Sequence, residues 1–539
     1  MRAFATLLER LILTPSRNQK LRLMVDYFAR TPDPDRGYAV AAITRDLDIA
    51  NVKPALLRGL AEERMDPVLF GYSYDYVGDL AETVSLIWPT SADGTDNGDH
   101  DLRLKDVVET LQSVSKAGAP KLMADLLDSL DATPRWALLK LVTGGLRIGV
   151  SARLVKQALA DFGDKSVTEI EELWHGLDVP YEELFAWLEG RAEKPISAAK
   201  APFRPVMLAH PLEEPDFSKI SPDDFAAEWK WDGIRIQAVA EDGVARLYSR
   251  TGDDISRSFP DILEVLNFNA AIDGELLVMR EQDEDGSIKA ASFGDLQQRL
   301  NRKTVSRKHL TEFPAFIRAY DLLHLDGENL RPLPFKERRA RLETFVADNA
   351  FDRLDLSPLV PFDAFETLAD ARANPPDPVI EGLMLKRWES VYEPGRIKGP
   401  WFKWKKDPHS VDAVLMYAQR GHGKRSSYYS DYTFGVWSKN EDVEVLVPVG
   451  KAYFGFTDEE LKQIDKFVRN NTTERFGPVR AVRAEPDHGL VLEVAFEGLN
   501  RSTRHKSGIA MRFPRISRLR WDKPPSEADR IAALEALLD

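Results

Sequence analysis

One short block of the chain, Lys230-Trp231-Asp232-Gly233-Ile234-Arg235, combines residue types that could form a covalent bond to a phosphate. A lysine amine becomes a useful nucleophile when burial or nearby cations favour its neutral form. Arg235 is close in sequence, and Lys403 and Lys405 farther along the chain could supply further cations. A surface lysine at a strand end before an Asp-Gly turn is the competing interpretation, and the six residues alone do not decide between the two.

Other residues with chemical potential lie on or beside predicted strands. Glu275 and Glu381 are each ordinary strand-end carboxylates when taken alone, but paired in one pocket they would suit Mg²⁺. Lys403 and Lys405 are two residues apart on a predicted strand, so they point to one face and could neutralise a phosphate in a transition state. Tyr320 lies in another predicted strand, where most aromatic side chains belong to the core.

Length and composition bound the possible classes of protein. A chain of 539 residues with 43% hydrophobic residues suggests three or four globular domains. The absence of cysteine excludes disulfides, thiolate metal sites and a thiol nucleophile. The segment from Met1 to Leu13 carries charges among its apolar residues, which indicates an amphipathic helix rather than a signal peptide. No apolar run approaches the ~20 residues that a membrane span needs, so a cytoplasmic protein is expected.

The net charge of −14 argues at first against a nucleic-acid partner. Net charge is a poor guide in a multidomain chain, because local basic clefts set the local field. Basic residues cluster in the C-terminal part, at Lys398, Lys403, Lys405 and Lys406, at Arg420, Lys424 and Arg425, at Arg501, Arg504 and Lys506, and from Arg512 to Lys523. Each cluster alone could be a solvated face, but together they favour a polyanionic partner.

Hydrophobic periodicity changes twice along the chain. The first ~200 residues show the helical period, and a proline-rich stretch from Lys194 to Pro205 indicates a linker. Alternating strand patterns mixed with helices follow, and short strands dominate from about Asp407, which suits a small barrel. We therefore expect an α + α/β + β protein with domains at 1–200, 201–406 and 407–539.

The order of the motifs resembles that of the covalent nucleotidyltransferases, in particular the ATP-dependent DNA ligases. The resemblance covers almost all of the chain beyond residue 200, through Lys230 to Arg235, Ser249-Arg250, Asp273-Gly274-Glu275, Ala319 to Leu322, Glu381 to Lys386, Trp401 to Asp407 and Arg512 to Lys523. A looser match, Gly144-Gly145-Leu146-Arg147-Ile148-Gly149-Val150, resembles an element of the N-terminal DNA-binding domain of larger ligases. The resemblance implies an all-helical DNA-binding domain, an ATP-grasp-like nucleotidyltransferase (adenylation) domain and a C-terminal OB-fold barrel.

The resemblance also implies roles for individual residues. Lys230 would attack the α-phosphorus of ATP to form lysyl-AMP, which passes AMP to the 5′-phosphate of a nick before the 3′-hydroxyl seals the strand. The implied nucleotide contacts are Glu228 on the adenine amino group, Tyr320 stacked on adenine, Arg235 and Arg250 on ribose and the 5′-phosphate, and Glu275, Lys403 and Lys405 around the phosphates. Glu275 and Glu381 would hold Mg²⁺, with Mn²⁺ as a substitute. Arg518, Asp522 and Lys523 would orient pyrophosphate, and the implied DNA contacts are Gly144, Gly145, Arg147, Gly149, Arg420, Lys424 and Arg425.

Alternatives remain within and outside the same superfamily. RNA ligases and mRNA capping enzymes share a Lys230-type motif, but the N-terminal helical region and the segment from Arg512 to Lys523 favour a DNA ligase. A non-catalytic DNA-binding module is disfavoured by the intact set of lysines and carboxylates. The segment Gly421-His422-Gly423-Lys424-Arg425 lacks the pattern of a P-loop. We expect a monomer that acts on nicked duplex DNA. It should lie in the cytoplasm, associated with the nucleoid through DNA. The sequence contains no evident sliding-clamp motif.

Overall fold

The computed structural model describes residues 1–77, 79–89, 102–196, 199–282, 288–300, 302, 304–349, 351–420, 428–440, 443–477, 479–502 and 505–538. The chain divides into two compact units, Met1–Lys406 and Asp407–Asp539. The predicted fold class is confirmed: a helical N-terminal region and a mixed α/β region make up the first unit, and the second is rich in β-strands. In the described part of the chain, no helix is both long and apolar enough to cross a membrane.

The N-terminal region is built from amphipathic helices around one core. Local sequence sets several of their ends: the hydroxyl of Ser16 caps the second helix and that of Ser151 the tenth, while Gly144 ends the ninth in a left-handed conformation. Buried apolar side chains from Met1 to Leu188 form a single cluster. The helices are α1 (Arg2–Leu13), α2 (Arg17–Arg30), α3 (Asp35–Thr44), α4 (Pro54–Arg64), α5 (Pro67–Val77), α6 (Leu80–Ile87), α7 (Leu104–Ser113), α8 (Ala119–Ser129), α9 (Ala132–Thr143), α10 (Ala152–Gly163), α11 (Val167–Leu173) and α12 (Glu182–Leu188).

Two largely antiparallel sheets form the α/β region of the first unit. One has the strand order β1-β11-β10-β2, and the other has the order β4-β3-β5-β7-β8, with β6 added to β5 and β9 to β7. The elements are β1 (His210–Pro211), α13 (Glu214–Phe217), β2 (Phe225–Trp231), β3 (Ile234–Glu241), β4 (Val244–Ser249), α14 (Pro260–Leu263), β5 (Ala270–Gln282), β6 (Ile288–Ala290), α15 (Phe293–Gln297), α16 (Arg307–Glu312), β7 (Ala315–Leu325), β8 (Glu328–Asn329), α17 (Phe335–Asn349), β9 (Leu354–Leu356), α18 (Phe365–Ala373), β10 (Ile380–Arg387) and β11 (Trp401–Lys405).

The connection between β2 and β3 carries the chain from one sheet to the other. It consists of Asp232 and Gly233, directly after the strand that contains Lys230. A Cβ atom at Gly233 would lie 2.6 Å from the carbonyl oxygen of Leu276 and 2.8 Å from Cγ of Glu275. A side chain at this position would therefore clash with the strand that carries Glu275, and glycine lets the two sheets approach each other beside Lys230.

The second unit is an antiparallel β-structure with a helix on it. Its main strand path is β14-β13-β12-β16-β15; β17 pairs with β12 and β20, and β18 and β19 form a separate hairpin. Thr457 and Glu460 form a capping box that starts its long helix. The elements are β12 (His409–Arg420), β13 (Tyr429–Asn440), β14 (Val443–Ala452), α19 (Asp458–Asn471), β15 (Thr472–Phe476), β16 (Val479–Val482), β17 (Val491–Phe496), β18 (Gly498–Arg501), β19 (Ile509–Arg512), β20 (Arg515–Arg520) and α20 (Ile531–Glu535).

A buried ion pair fastens α17 to β7, the strand that carries Tyr320. Arg338 and Asp321 are both 0% exposed, and the guanidinium donates to the two carboxylate oxygens at 2.8 and 3.0 Å. The same guanidinium donates to the carbonyl oxygens of Leu333 at 2.6 Å and Ser390 at 3.0 Å. This network satisfies both buried charges and fixes the strand next to Tyr320.

We predict that Arg338→Ala lowers the free energy of unfolding by ~3–5 kcal/mol, because it leaves the carboxylate of Asp321 buried and unpaired. Arg341→Ala on the same helix is the matched control. Arg341 is about 40% exposed and bonds Glu328 at 2.6 Å, so its loss should cost ~1 kcal/mol or less. Urea-induced unfolding of the full-length variants measures both values, and similar losses for the two variants would contradict the prediction.

Candidate active site

The candidate nucleophile lies at the end of a strand beside a carboxylate. Lys230 in β2 pairs in register with Gly382 in β10, and Gly382 in turn pairs with Lys405 in β11. A register irregularity between Ile380 and Gly382 places Glu381 at this point of the sheet. Nζ of Lys230 donates to Oε1 of Glu381. Lys230, Glu381 and Lys405 are far apart in the sequence, and the register of β2, β10 and β11 brings them together.

Glu381 is shared between two ammonium groups. Oε1 accepts the hydrogen bond from Lys230, and Oε2 lies 3.2 Å from Nζ of Lys405. Burial opposes ionisation of Glu381, but the charges and hydrogen bonds of Lys230 and Lys405 together hold its pKa below the ordinary value. Glu381 is therefore a carboxylate in this structure, and it holds Lys230 and Lys405 together.

Lys403 adds a third ammonium group to this end of the sheet. It lies in β11 opposite Met384 of β10, two residues from Lys405. Burial and the charges of Lys405 and Lys230 lower its pKa. The predicted clustering of the lysines is therefore what the structure shows. Such a cluster suits an anionic ligand that would relieve the mutual repulsion.

Glu275 faces the same cluster from the other sheet. It lies in β5, in register with Arg235 of β3. Burial raises the pKa of Glu275 to about 8, and the charges of Glu381 and Asp232 also raise it, against the opposing effect of Lys230 and Arg235. The charge of Glu381 thus favours the protonated form of Glu275.

Arg235 is bound by protein groups. Its guanidinium donates to the carbonyl oxygen of Met207 at 2.6 Å, to the carboxylate of Asp273 at 2.7 Å and to the hydroxyl of Tyr392 at 3.1 Å. The Tyr392 hydroxyl also donates to Asp273. The guanidinium carbon lies 5.9 Å from the centre of the Tyr320 ring. The sequence suggested a nucleotide contact for Arg235, but it gave no indication of Tyr392 as its partner.

The surroundings of Tyr320 contain a buried lysine that the sequence analysis did not single out. Nζ of Lys386 lies 4.3 Å from the centre of the Tyr320 ring and donates to the Tyr320 carbonyl oxygen at 3.2 Å. It also lies 2.5 Å from one carboxylate oxygen of Glu228, and Arg339 donates to the other at 2.8 Å. Glu228 is 1% exposed, so its carboxylate is held by two buried cations beside the ring expected to stack on adenine. Lys386 is the last residue of the motif from Glu381 to Lys386, and its place in that motif is the sequence feature that could have identified it.

The remaining candidate of the nucleotide pocket lies in a turn. Arg250 directly follows β4 and is exposed. The turn is closed by a hydrogen bond from the amide of Ser249 to the carbonyl oxygen of Asp253 at 2.8 Å. The hydroxyl of Ser249 also lies 3.2 Å from the Asp253 carboxylate. The structure therefore presents Arg250 on a closed turn, with its side chain accessible to solvent.

The three pyrophosphate candidates lie in the second unit. Asp522 pairs with Arg520 at 2.9 Å, and this hydrogen bond lowers the pKa of Asp522 to about 2. Nζ of Lys523 lies 2.7 Å from Asp412, and Arg518 is exposed on β20. Asp522 and Lys523 thus have ionic partners within their own unit.

The candidate DNA-contacting residues of the helical region lie between α9 and α10. Gly144, Arg147 and Gly149 have φ values of 67°, 47° and 64°, and Gly145 lies beside Gly144. A cavity of about 580 Å³ opens here, and its lining includes the basic residues Arg17, Lys20, Arg45 and Arg147. Nζ of Lys20 donates to the carbonyl oxygens of Ile148 at 2.6 Å and Gly149 at 3.0 Å, which fixes the loop.

Arg420 is the described member of the basic loop predicted to contact DNA in the second unit. It ends β12, and its guanidinium carbon lies 5.7 Å from the centre of the Tyr429 ring. Lys424 and Arg425, and the rest of the segment from Gly421 to Arg425, lie outside the described residues.

Comparison with known proteins identifies the family. Residues 206–405 match the model of the ATP dependent DNA ligase domain, residues 425–523 that of the ATP dependent DNA ligase C terminal region, and residues 1–160 that of the DNA ligase N terminus. The chain is 32% identical to a probable DNA ligase of Koribacter versatilis, over 81% of this chain and 78% of the relative. It is 27% identical to DNA ligase 1 of Korarchaeum cryptofilum, over 100% of this chain and 98% of the relative.

A solved structure supports the fold independently of close sequence similarity. The structure titled Pmar-Lig_PreS3 aligns with a TM-score of 0.58 at 14% identity, over 96% of this chain and 99% of that chain. The alignment therefore extends across the helical region, the adenylation domain and the β-rich unit. Together with the matched family models and the gathering of Lys230, Glu381 and Lys405 at one end of a sheet, these similarities show that the chain belongs to the ATP-dependent DNA ligases.

Proposed function

We propose that this ligase seals nicks in duplex DNA through an AMP group carried on Nζ of Lys230. The observation that supports the proposal best is the ammonium group of Lys230 beside Glu381, Lys405 and Lys403 at the mouth between two sheets. The proposed nucleophile, the cationic cluster and the carboxylates of Glu381 and Glu275 thus lie close together.

In the first step Nζ of Lys230 attacks the α-phosphorus of ATP. The ammonium group of Lys230 first loses a proton to water and becomes a neutral amine. A P–N bond then forms as the P–O bond to pyrophosphate breaks, and the second proton of the nitrogen passes to water. Because Lys230 is tied to Glu381 in the free protein, ATP binding must release this contact first. Lys403 and Lys405 then neutralise the charge that builds up on the α-phosphate oxygens during the in-line displacement.

The rest of the pocket holds the nucleoside. Tyr320 stacks on adenine, and Glu228 receives the adenine amino group, with Lys386 and Arg339 holding the Glu228 carboxylate in place. Arg250, which is exposed, reaches ribose, and Arg235 contributes to the grip on ribose and the 5′-phosphate from its buried network. The planar guanidinium fork suits both tasks.

The carboxylates fit a divalent cation. Burial raises the pKa of Glu275 to about 8 because its ionised form is poorly stabilised. A cation beside Glu275 would stabilise that ionised form. Glu275 and Glu381 are the residues that would hold Mg²⁺, or Mn²⁺ in its place, and the ion would neutralise phosphate oxygens there. Among the described residues, no group of three or more acidic or histidine side chains is placed to hold a metal. With Glu275 and Glu381 as its protein ligands, the ion would complete its shell with water and phosphate oxygens.

The later steps take place on DNA. AMP moves from Lys230 to the 5′-phosphate of the nick, and the 3′-hydroxyl then attacks that phosphate, which joins the strands and releases AMP. Gly144, Gly145, Arg147 and Gly149 lie in the loop between α9 and α10. Arg147 and Gly149 line its cavity together with Arg17, Lys20 and Arg45, a basic surface that suits backbone phosphates. Arg420, Lys424 and Arg425 are proposed DNA contacts on the second unit. Arg518, Asp522 and Lys523 are proposed to orient pyrophosphate in the first step.

Sealing of a 5′-labelled nick in duplex DNA tests the proposal. We expect ATP with Mg²⁺ to give sealed product, and NAD⁺ or GTP in place of ATP to give none. Sealing of nicked RNA alone, or product formation with GTP but not with ATP, would contradict the assignment of substrate and nucleotide.

We predict that Lys230→Ala abolishes sealing with ATP but still seals a nick whose 5′-phosphate already carries AMP. The amine acts as the nucleophile in the first step, is freed when AMP moves to the DNA, and has no covalent role in the last step. Lys336→Ala is the control, because Lys336 is an exposed lysine paired with Glu389 in the same domain. Gel-based sealing assays on both substrates measure the effect. Sealing with ATP by Lys230→Ala would exclude this lysine as the carrier of AMP.

Protonation of Glu275 should make stability depend on pH. The folded-state pKa of about 8 lies above the ordinary value of 4.5, so the folded protein binds this proton more tightly than the unfolded chain does. The stabilisation is fully present below the ordinary pKa and is lost as the pH rises through the folded-state value. Without divalent cations, the Tm of the wild type should therefore fall, relative to that of Glu275→Gln, as the pH is raised through this window.

Thermal unfolding across the same window with and without Mg²⁺ measures this effect. Added Mg²⁺ should raise the Tm of the wild type more than that of Glu275→Gln at the alkaline end, because a cation favours the ionised carboxylate. Parallel Tm profiles for the two proteins under both conditions would show that Glu275 has an ordinary pKa and does not contact the ion.

A further inference from the structure

The helical region touches the adenylation domain directly beside the turn that presents Arg250. His175 lies in a single helical turn, Trp174–Gly176, between α11 and α12. Its ring centre lies 4.9 Å from that of Tyr248 in β4 and 5.8 Å from that of Phe203. Tyr248 precedes Arg250 by two residues, so a side chain of the helical region packs against the base of a turn in the candidate nucleotide pocket.

Gly252 shows how closely this contact is fitted. Gly252 has a φ of +86°, and a Cβ atom there would lie 3.1 Å from ring carbons of Phe203 and 3.4 Å from Nε2 of His175. The turn is thus pressed against both rings, and a side chain at this position would push them apart. Because the turn is also closed by the bonds between Ser249 and Asp253, it is positioned as one unit.

The other contacts of these rings make the support rigid. The hydroxyl of Tyr248 donates to the carbonyl oxygen of Ala201 at 2.9 Å in a buried hydrogen bond. Phe203 and Tyr248 lie 5.6 Å apart, so the three rings form one cluster. Burial and the nearby charge of Lys156 outweigh the charges of Asp46, Asp254 and Asp253 and lower the pKa of His175 to about 4, so the imidazole contributes a neutral ring.

We propose that His175 is a positioning residue for the nucleotide site: through Tyr248 and Gly252, the helical region holds the Arg250 turn in the conformation that binds ATP. This inference rests on the proposed contact between Arg250 and ATP. Holding a binding loop in place before the ligand arrives removes the ordering cost that the ligand would otherwise meet. The helical region thereby has a second task, which is to support ATP binding before any DNA is present.

A second contact between the same two regions offers a matched control. Nη1 of Arg331 in the adenylation domain lies 2.8 Å from Oε1 of Glu172, three residues before His175. Glu172→Gln weakens the junction of the two regions without removing any ring that touches the Arg250 turn. General loosening of the junction and loss of support for the turn can therefore be separated.

Self-adenylation of the full-length protein with labelled ATP, without DNA, tests the inference. His175→Ala should raise the KM for ATP by about fivefold, equivalent to ~1 kcal/mol, while the maximal rate stays within about twofold of the wild type. His175→Phe keeps a neutral ring and should restore the wild-type KM, and Glu172→Gln should leave it unchanged. Equal effects of His175→Ala and Glu172→Gln, or a loss of maximal rate with an unchanged KM, would overturn the inference.

Two further variants complete the design. In an Arg250→Ala background, His175→Ala should have no additional effect on KM, because His175 acts through Arg250; additive effects would overturn the inference. If His175→Ala does not fold, Gly252→Ala replaces it, since the added methyl displaces the turn while both rings remain, and an unchanged KM would overturn the inference. Absence of labelling in the wild type would instead contradict the proposed function itself.

Discussion

The shared carboxylate of Glu381 is the interaction on which the arrangement of the site depends. Three strands that are distant in sequence meet there, and the charges of Lys230 and Lys405 are tolerated in a partly buried pocket because Glu381 lies between them. Lys403 adds a charge to the same cluster, and burial and its neighbours lower its pKa. The carboxylate of Glu381 thus holds the ammonium groups together, in an arrangement that suits an anionic ligand. In the proposed mechanism, a phosphate ligand takes over the pairing with the lysines, and Lys230 is then free to act as the nucleophile.

A second layer of buried ions keeps this pocket in shape. Glu228 is held by Lys386 and Arg339, and Asp321 by Arg338, so buried ionic contacts fix β7 and the strands around Tyr320. Such pairs are costly to build and strongly destabilising to break on one side, and they therefore favour one arrangement of the strands. Stability and the candidate site are linked here, because the ion pairs around Tyr320 also join β2, β7, β10 and α17.

Sequence patterns predicted the fold class well, because the spacing of apolar residues reflects local secondary structure. The change from helical to strand periodicity predicted the fold class, and the alternation of Lys403 and Lys405 predicted their common side of β11. The buried roles of Arg338 and Arg339 were not predictable, since arginines on an amphipathic helix are normally placed in solvent, whereas α17 buries both with its apolar face. The contact of His175 with the Arg250 turn arises from two distant segments and leaves no signal in either one alone.

The central claim is that AMP is carried on Lys230, and the most direct measurement is the mass-spectrometric mapping of the protein after incubation with ATP and Mg²⁺. Peptides should be prepared without strong acid, because a P–N bond to a lysine amine is acid-labile. The mechanism predicts one added AMP, on the peptide that contains Lys230, and its loss on brief acid treatment. AMP on a different residue, or an unmodified Lys230 peptide in protein that seals nicks with ATP, would contradict it.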